Sequence, residues 1–191
     1  MSPLSGMSRN YANDLFNKRM EQISAETSQK IAAVYADHTH RNTLMSRMHM
    51  TDHAKALADR IKLLTEAKAE TLLTAYEDSG IPVDAASISE ISNEVETYCR
   101  AQQPHAAKAM RQVIRQTFQG NAPPTLEEAV VQGLDTHINR ACVEIARDLR
   151  IRSHQVELAK DRAAEEVTTP QIVREDDKQW DAFICHASED K

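Results

Sequence analysis

The sequence predicts an all-α protein, an elongated helical bundle or coiled coil, from its composition, its chain breakers and its apolar spacing. Aromatic residues make up 4% of the 191 residues and glycine occurs 4 times, a balance typical of long helices rather than sheets. Residues 7–79 contain neither Gly nor Pro, so nothing there strongly interrupts a helix. Later apolar residues recur at nearly heptad spacing between charged ones, as in helices that pack along their length.

Residues 7–79 are predicted to form one or two long helices, because their apolar residues fall on two stripes with helical spacing. The first stripe contains Phe16, Met20, Ile23, Ile31, Val34, Met45 and Met48. The second contains Leu57, Ile61, Leu64, Leu72 and Tyr76. The two stripes are out of phase, so we expect a bend or turn between Met48 and Ala54.

Two further helices are predicted between Gly80 and the sequence "QGNAPP". Gly80 suits the position after a helix C-cap, and Pro82 cannot continue a helix. A third helix should begin near Ser87 and be broken or kinked at Pro104. Because proline is tolerated in the first turn of a helix, Pro104 could also begin a fourth helix.

The last predicted helix begins at Thr125, whose side chain could cap it while Glu128 bonds back to the cap. Its apolar positions are Val130, Leu134, Ile138, Cys142, Ile145, Leu149, Val156, Ala163 and Val167. A helix of this length needs a partner helix, either from residues 7–79 or from a second copy of the chain. We therefore expect a homo-oligomer formed through long helices.

Charge and hydropathy exclude several classes of partner. The chain carries 23 Lys plus Arg against 29 Asp plus Glu, a net charge of −6, which argues against general binding to nucleic acid or an anionic membrane. Its N-terminus lacks the apolar segment of a signal peptide, and no apolar run is long enough to span a bilayer. We expect a cytoplasmic protein. Its three cysteines, Cys99, Cys142 and Cys185, are predicted to be reduced thiols.

The densest set of possible metal ligands is His38, His40, His49, Asp52 and His53. His49 and His53 share a helix face, a spacing used by two imidazoles on one metal ion. The sequence "HMTDH" lacks the glutamate of the HExxH pattern, and no Cys or Glu ligand set accompanies it. The prediction is therefore solvated histidines at a helix junction, with no metal and no cofactor.

Residues 180–191, "WDAFICHASEDK", follow a polar, charged segment at 167–179 that is predicted to be a linker. The part "WDAFIC" has the composition of a strand that is apolar on both faces, as in a central strand of a parallel sheet. "HAS" would then be the loop at the carboxyl edge of the strand, where open α/β sheets bind ligands. Without a neighbouring strand, residues 180–185 should be irregular, poorly ordered or drawn into a non-native contact.

The same twelve residues closely resemble the opening motif of the Toll/interleukin-1 receptor (TIR) domain family, in its bacterial form. Nine positions match, namely Asp181, Phe183, Ile184, His186, Ala187, Ser188, Glu189, Asp190 and Lys191. Trp180 replaces the usual Tyr or Phe and Cys185 the usual Ser, and both substitutions preserve the role of the position. The resemblance covers 12 of the 191 residues. We therefore expect a helical oligomerisation or sensing region at 1–166, the linker, and the truncated start of a TIR domain.

The resemblance implies a flavodoxin-like fold and, in many members, hydrolysis of NAD as substrate by an NAD⁺ nucleosidase that requires assembly of TIR domains. The catalytic Glu would lie beyond Lys191, so the chain alone is not expected to be an enzyme. Proximity to substrate carries over weakly to His186, Ala187 and Ser188. The expected setting is signal transduction or defence. The alternatives are a non-catalytic TIR adaptor or scaffold, and a stand-alone helical interaction protein.

Overall fold

The computed structural model describes residues 4–168, and side chains as far as residue 162. Over these residues it consists of four helices and no strand, which confirms the all-α prediction. The helices are α1 Gly6–His40, α2 Arg47–Asp78, α3 Ala85–Thr117 and α4 Pro124–Thr168. The chain divides into two compact units, Met1–Glu157, which contains the bundle, and Leu158–Lys191, of which the structure describes only the end of α4.

The first three helices begin at side chains that cap free backbone N–H groups. Ser5 Oγ accepts a hydrogen bond from the Ser8 N–H at 3.2 Å. Ser46 Oγ accepts from the His49 N–H at the same distance. Asp84 Oδ1 accepts from the Ser87 N–H at 2.9 Å. Each bond satisfies one of the donors that the first turn of a helix leaves unpaired, and so fixes where the helix begins.

The same three helices end in one shared arrangement, in which a residue with positive φ reverses the chain. These residues are Asn42 at φ 54°, Gly80 at φ 64° and Gln119 at φ 52°. The next N–H bonds back across the last turn, from Thr43 to the His38 carbonyl, from Ile81 to Tyr76 and from Gly120 to Arg115. This is the Schellman motif, which satisfies the last carbonyls of a helix. The predicted role of Gly80 is thus confirmed.

The predicted turn between Met48 and Ala54 is wrong, since α1 already ends at His40 and α2 begins at Arg47. Asn42 takes the left-handed conformation there without a glycine, which asparagine tolerates better than most residues. Met45 and Met48, counted in the first apolar stripe, are 63% and 50% exposed. The turn therefore lies before the point at which the apolar pattern changes phase.

Pro104 does not divide α3, contrary to the prediction of two separate helices. Proline removes one backbone donor from a helix interior, a local cost. The apolar stripe keeps its phase across Pro104, with Val95, Cys99, Met110 and Ile114 all buried. Packing on both sides of the proline therefore outweighs the lost hydrogen bond.

The last helix also begins differently from the prediction. It starts at Pro124, so Thr125 lies inside the first turn and does not serve as the cap. The N–H groups of Leu126 and Glu127 instead bond to the carbonyl of Pro123, at 2.9 and 3.4 Å. Proline is favoured at the first helical position because its missing donor has no partner there. The helix then continues to Thr168, close to its predicted end.

The core divides into three apolar clusters along the bundle. In the first, all four helices meet, through Ala12, Leu72, Tyr76, Ile88, Ile91, Ile145 and Leu149 among others. The second contains residues of α2, α3 and α4, including Met50, Ile61, Met110, Ile114, Leu134 and Ile138. The third joins α1 to α2 through Phe16, Ile23, Leu64 and Ala67. As far as Val156, therefore, α4 has partner helices within its own chain.

Polar contacts join the second half of α1 to α2. None of its residues belongs to the second cluster. Lys30 forms an ion pair with Asp59, and Arg60 donates a hydrogen bond to Ser24 Oγ at 3.1 Å. This half of α1 thus packs on α2 without a share in the core that α2 forms with α3 and α4.

A disulfide between Cys99 and Cys142 joins α3 to α4, which corrects the prediction of reduced thiols for these two residues. Their Cα atoms lie 6.4 Å apart, within the range that a disulfide spans without backbone movement. Cys185 and the predicted strand at 180–185 lie outside the described residues. Within residues 4–168, no helix combines the length and the apolar character that crossing a membrane would require.

Replacing Gln119 by glycine should stabilise the bundle by about 0.5–1 kcal/mol, because glycine adopts positive φ without the Cβ penalty. Gln116→Gly, three residues earlier within α3, is the matched control and should destabilise by about 1 kcal/mol. Urea unfolding followed by circular dichroism measures both changes. A shift in the same direction for both variants would contradict the assigned helix end.

Candidate functional site

A histidine cluster forms where the turn at residues 41–46 brings α1 against α2. His38 lies in the last turn of α1, while His49, Asp52 and His53 lie in the first two turns of α2. The cluster combines buried imidazoles with a carboxylate, and its members are residues that the sequence indicates as possible metal ligands. His40, the fifth of them, is exposed at the end of α1.

His38 is 2% exposed, and both of its ring nitrogens have partners. Nε2 lies 3.0 Å from Asp52 Oδ2, and Nδ1 lies 2.7 Å from Thr43 Oγ1. Because a carboxylate can only accept, Nε2 carries the proton and donates to Asp52. In the neutral ring, Nδ1 then accepts from the Thr43 hydroxyl. His38 therefore links α1, the turn and α2 through its two hydrogen bonds.

His49 is even less accessible, at 1% exposure, and only one of its nitrogens is paired. Nδ1 lies 2.7 Å from the Leu44 carbonyl oxygen and must donate to it. Nε2 is buried and has no hydrogen-bond partner among the residues that the structure describes. The His49 ring lies 4.9 Å from that of His38, and 6.1 Å from that of Tyr35, between centroids. The prediction of solvated histidines is therefore wrong for His38 and His49, which belong to the interior.

His53 lies one turn after His49 on the same face of α2, with 6.3 Å between the ring centroids. Burial lowers the pKa of His53 below its ordinary value of 6.5, and a positive charge on His49 lowers it further. Both causes disfavour the charged imidazole. Folding thus shifts His53 toward its neutral form.

Most of the ring nitrogens of His38 and His49 are occupied by hydrogen bonds. His38 uses both nitrogens in hydrogen bonds within the chain, and His49 uses Nδ1. Among the described residues, no group of three or more His, Cys, Asp or Glu side chains is placed to hold a metal ion. The hydrogen bonds of the cluster instead fasten the end of α1 to the start of α2.

A second polar cluster, at the opposite end of α1, was not predicted from the sequence. Arg9 forms ion pairs with Glu90 and with Glu94, the latter at 3.2 Å. The Tyr76 hydroxyl donates to Glu90 Oε2 at 2.9 Å. Burial is the main cause that raises the pKa of Tyr76, and this hydrogen bond contributes. The cluster joins α1, α2 and α3.

Lys68 extends this cluster from within α2 and is itself buried. Its Nζ lies 3.1 Å from Glu94 Oε1, donates to Asn13 Oδ1 at 3.2 Å, and lies 5.3 Å from the centre of the Phe16 ring. These contacts compensate for taking the ammonium group out of water. A lysine on an apolar helix face was the sequence signal that could have revealed this position.

The residues to which the TIR resemblance assigns a role lie outside the described part of the chain. His186, Ala187 and Ser188 belong to residues 169–191, so the structure neither brings them together nor separates them. Comparison with known proteins adds no assignment: no protein-family model, no curated protein and no solved structure matches this chain.

Replacing His38 by alanine should destabilise the bundle by about 2 kcal/mol or more, because two buried hydrogen bonds are lost and a cavity forms. His40→Ala, two residues away and exposed, should change the free energy of unfolding by less than about 0.5 kcal/mol. Urea unfolding at neutral pH measures both. Equal effects would show that the His38 contacts contribute nothing specific.

The lowered pKa of His53 makes stability depend on pH. The unfolded chain binds a proton near pH 6.5 while folded His53 resists protonation, so its contribution is complete above that value and is lost as pH falls below it. His53→Gln should remove part of this loss, with a ceiling of about 1.4 kcal/mol per pH unit for one proton. The measurement is urea unfolding at intervals from neutral to acidic pH.

The matched control for this prediction is His105→Gln, which alters an exposed histidine of α3. The free energy of unfolding of this variant should change with pH as that of the unsubstituted chain does. If His53→Gln leaves the slope of stability against pH unaltered, then His53 is not the group that couples folding to protons.

Proposed function

We propose that this chain is the N-terminal regulatory and oligomerisation region of a TIR-domain protein in signal transduction or defence, cytoplasmic, and that the intact protein hydrolyses NAD when its TIR domains assemble. The observation that carries this proposal is the sequence of residues 180–191, "WDAFICHASEDK". Nine contiguous or nearly contiguous identities to one family motif form a specific signal, although they cover a small part of the chain. The catalytic Glu and the rest of the TIR domain would follow Lys191.

The order of the elements supports this interpretation. The helical bundle comes first, then the polar segment 167–179, and then the motif. Signalling proteins commonly place a sensing or assembly region before an output domain, and a linker of charged residues separates two such domains without ordering them against each other. In this arrangement the bundle would set the local concentration of the TIR domains.

The packing of the bundle within one chain limits which surfaces a second copy of the chain could contact. The apolar stripe of α4 is covered by α2 and α3 of the same chain as far as Val156, so a second copy would contact the outer surface of the bundle and not its core. Exposed apolar side chains are present on that surface. They include Met7 at 84%, Met45 at 63% and Ile151 at 46% exposure. Association through such surfaces is weaker than through a shared helical core, and so is easier to regulate.

The experiment compares NAD consumption by three proteins. The first is this chain continued through a complete TIR domain, and the second is the TIR domain alone. In the third, an unrelated coiled-coil dimer replaces residues 1–166. We expect the first and third to consume NAD at a rate per molecule that rises with protein concentration, and the TIR domain alone to be slow, because effective concentration drives assembly. Chromatography of the nucleotide products measures the rates, and light scattering gives the stoichiometry.

Two outcomes would count against the proposal. If none of the three proteins consumes NAD at any concentration, the TIR domain is an adaptor and the enzymatic half is wrong. If the first protein remains monomeric by light scattering and is no faster than the TIR domain alone, the helical region does not assemble it. In that case the bundle would have a different role.

A further inference from the structure

We propose that the disulfide between Cys99 and Cys142 is a reversible redox site, opened at Cys142 by small anionic thiols of the glutathione class. Such a thiol would enter a basic groove between α3 and α4. The proposal rests on three features of the described chain: the disulfide, the unequal exposure of its two cysteines, and the charge of the groove. It does not depend on the TIR interpretation.

The two cysteines of the disulfide differ in exposure. Cys99 is 1% exposed and belongs to the apolar cluster shared by α2, α3 and α4. Cys142 is half-buried and lines a surface groove of about 560 Å³. A thiolate from solution can therefore approach the Cys142 sulfur, while the core covers the Cys99 sulfur. Which sulfur is attacked is one of the factors that set the rate of thiol–disulfide exchange.

The groove carries an excess of positive charge beside Cys142. The charged residues that line it are three arginines, Arg100, Arg147 and Arg150, and one glutamate, Glu96. Glu96 is paired with Arg100. Within the described part of the chain, neither Arg147 nor Arg150 has a carboxylate within 4.0 Å, so two guanidinium groups face solvent without compensation. Grooves of one charge sign raise the local concentration of oppositely charged reactants.

The size and lining of the groove suit a small peptide thiol. Val143 and Ala146 supply apolar wall, and the exposed fraction of Val143 is 68%. Asn139 adds a polar side chain to the lining. Glutathione carries two carboxylates and one ammonium group, and its thiolate adds a further negative charge at the reacting atom. Arg147 and Arg150 can therefore bind the carboxylates in bidentate fashion while the sulfur approaches Cys142.

The reaction conserves atoms and electrons as follows. The thiolate attacks the Cys142 sulfur, a new sulfur–sulfur bond forms, and the bond to Cys99 breaks. The electron pair goes to the Cys99 sulfur, which takes up a proton. A second thiol attacks the mixed disulfide, releases the oxidised thiol dimer and leaves Cys142 reduced. In the reverse direction, the oxidised dimer closes the bond between α3 and α4.

Opening the bond would release a link across 43 residues of chain while leaving the helices packed. Cys99 remains within an apolar cluster that also contains Met110, Ile114 and Ile138, so the reduced bundle keeps its core. We expect the reduced form to be folded and to unfold at a lower temperature than the oxidised form. The ratio of reduced to oxidised thiol in solution would thereby determine how rigidly α3 and α4 are joined.

The first test uses the Cys185→Ser variant, so that only Cys99 and Cys142 remain. The protein is mixed with reduced glutathione, quenched with acid at intervals, and analysed by peptide mass spectrometry. The expected early product carries glutathione on Cys142 and a free thiol on Cys99. Glutathione found first on Cys99, or two free thiols in the native protein before any reductant is added, would overturn the proposal.

The second test isolates the charge effect in the Cys99→Ala, Cys185→Ser variant, whose single thiol is Cys142. Its reaction rate with the dianionic disulfide 5,5′-dithiobis(2-nitrobenzoate) is divided by its rate with the neutral 4,4′-dithiodipyridine. Adding Arg147→Gln and Arg150→Gln should lower this ratio about tenfold at low salt. High salt should lower the ratio of the parent protein and largely remove the difference.

The control for charge adds Lys108→Gln and Arg140→Gln instead, which removes the same net charge from exposed positions that do not line the groove. Its rate ratio should stay within about twofold of the parent. Circular dichroism confirms that each variant is folded, and the salt dependence of the parent protein tests the charge effect without any arginine substitution. Equal ratios for the groove and control variants, or no effect of salt on the parent, would refute the role of the groove.

Discussion

The bundle depends on burying the apolar stripes of four long helices within one chain. Helices of this length are not stabilised sufficiently by propensity alone and need an apolar face that is covered. The cluster formed by all four helices meets that need at one end, where Tyr76 is 2% and Ile88 1% exposed. The helix starts, the Schellman ends and the polar clusters then place the stripes opposite one another. As far as Val156, α4 finds its partners inside the chain, so its apolar stripe is already covered over that length.

Much of this architecture could be predicted from the sequence, because it follows from patterns that are local in the chain. The all-α class, the end of α2 near Gly80, the course of α4 and its apolar positions as far as Val156 all rest on composition, breakers and helical spacing. The turn after α1 could not be placed from those signals. It depends on Asn42 adopting positive φ and on Ser46 capping α2, neither of which interrupts a stripe. Pro104 is a strong local signal for a helix end, but tertiary packing keeps α3 continuous through it.

For the candidate sites, too, the sequence indicates features that depend on neighbouring residues and misses contacts between residues far apart in the chain. The histidines were identified as a set from their density in the sequence, but their burial and their hydrogen bonds arise only when α1 folds back on α2. The pairing of Cys99 with Cys142 joins residues far apart in sequence and has no local signature. The ion pairs of Arg9 and Lys68 with residues of α3 likewise join positions far apart in sequence. For residues 180–191 the situation is reversed, because the family resemblance lies wholly in the sequence and the structure describes only residues 4–168.

The polar attachment of the second half of α1 has a consequence for where the molecule opens. Apolar cores resist local unfolding cooperatively, whereas a helix held by ion pairs and hydrogen bonds near the surface can separate at smaller free-energy cost. The end of α1 that carries His38 should therefore open at a smaller free-energy cost than the apolar clusters beside it, although His38 itself is 2% exposed. Amide protons there should exchange with solvent through sub-global opening, ahead of those in α3. The unpaired nitrogen of His49 would become accessible to water in that open state.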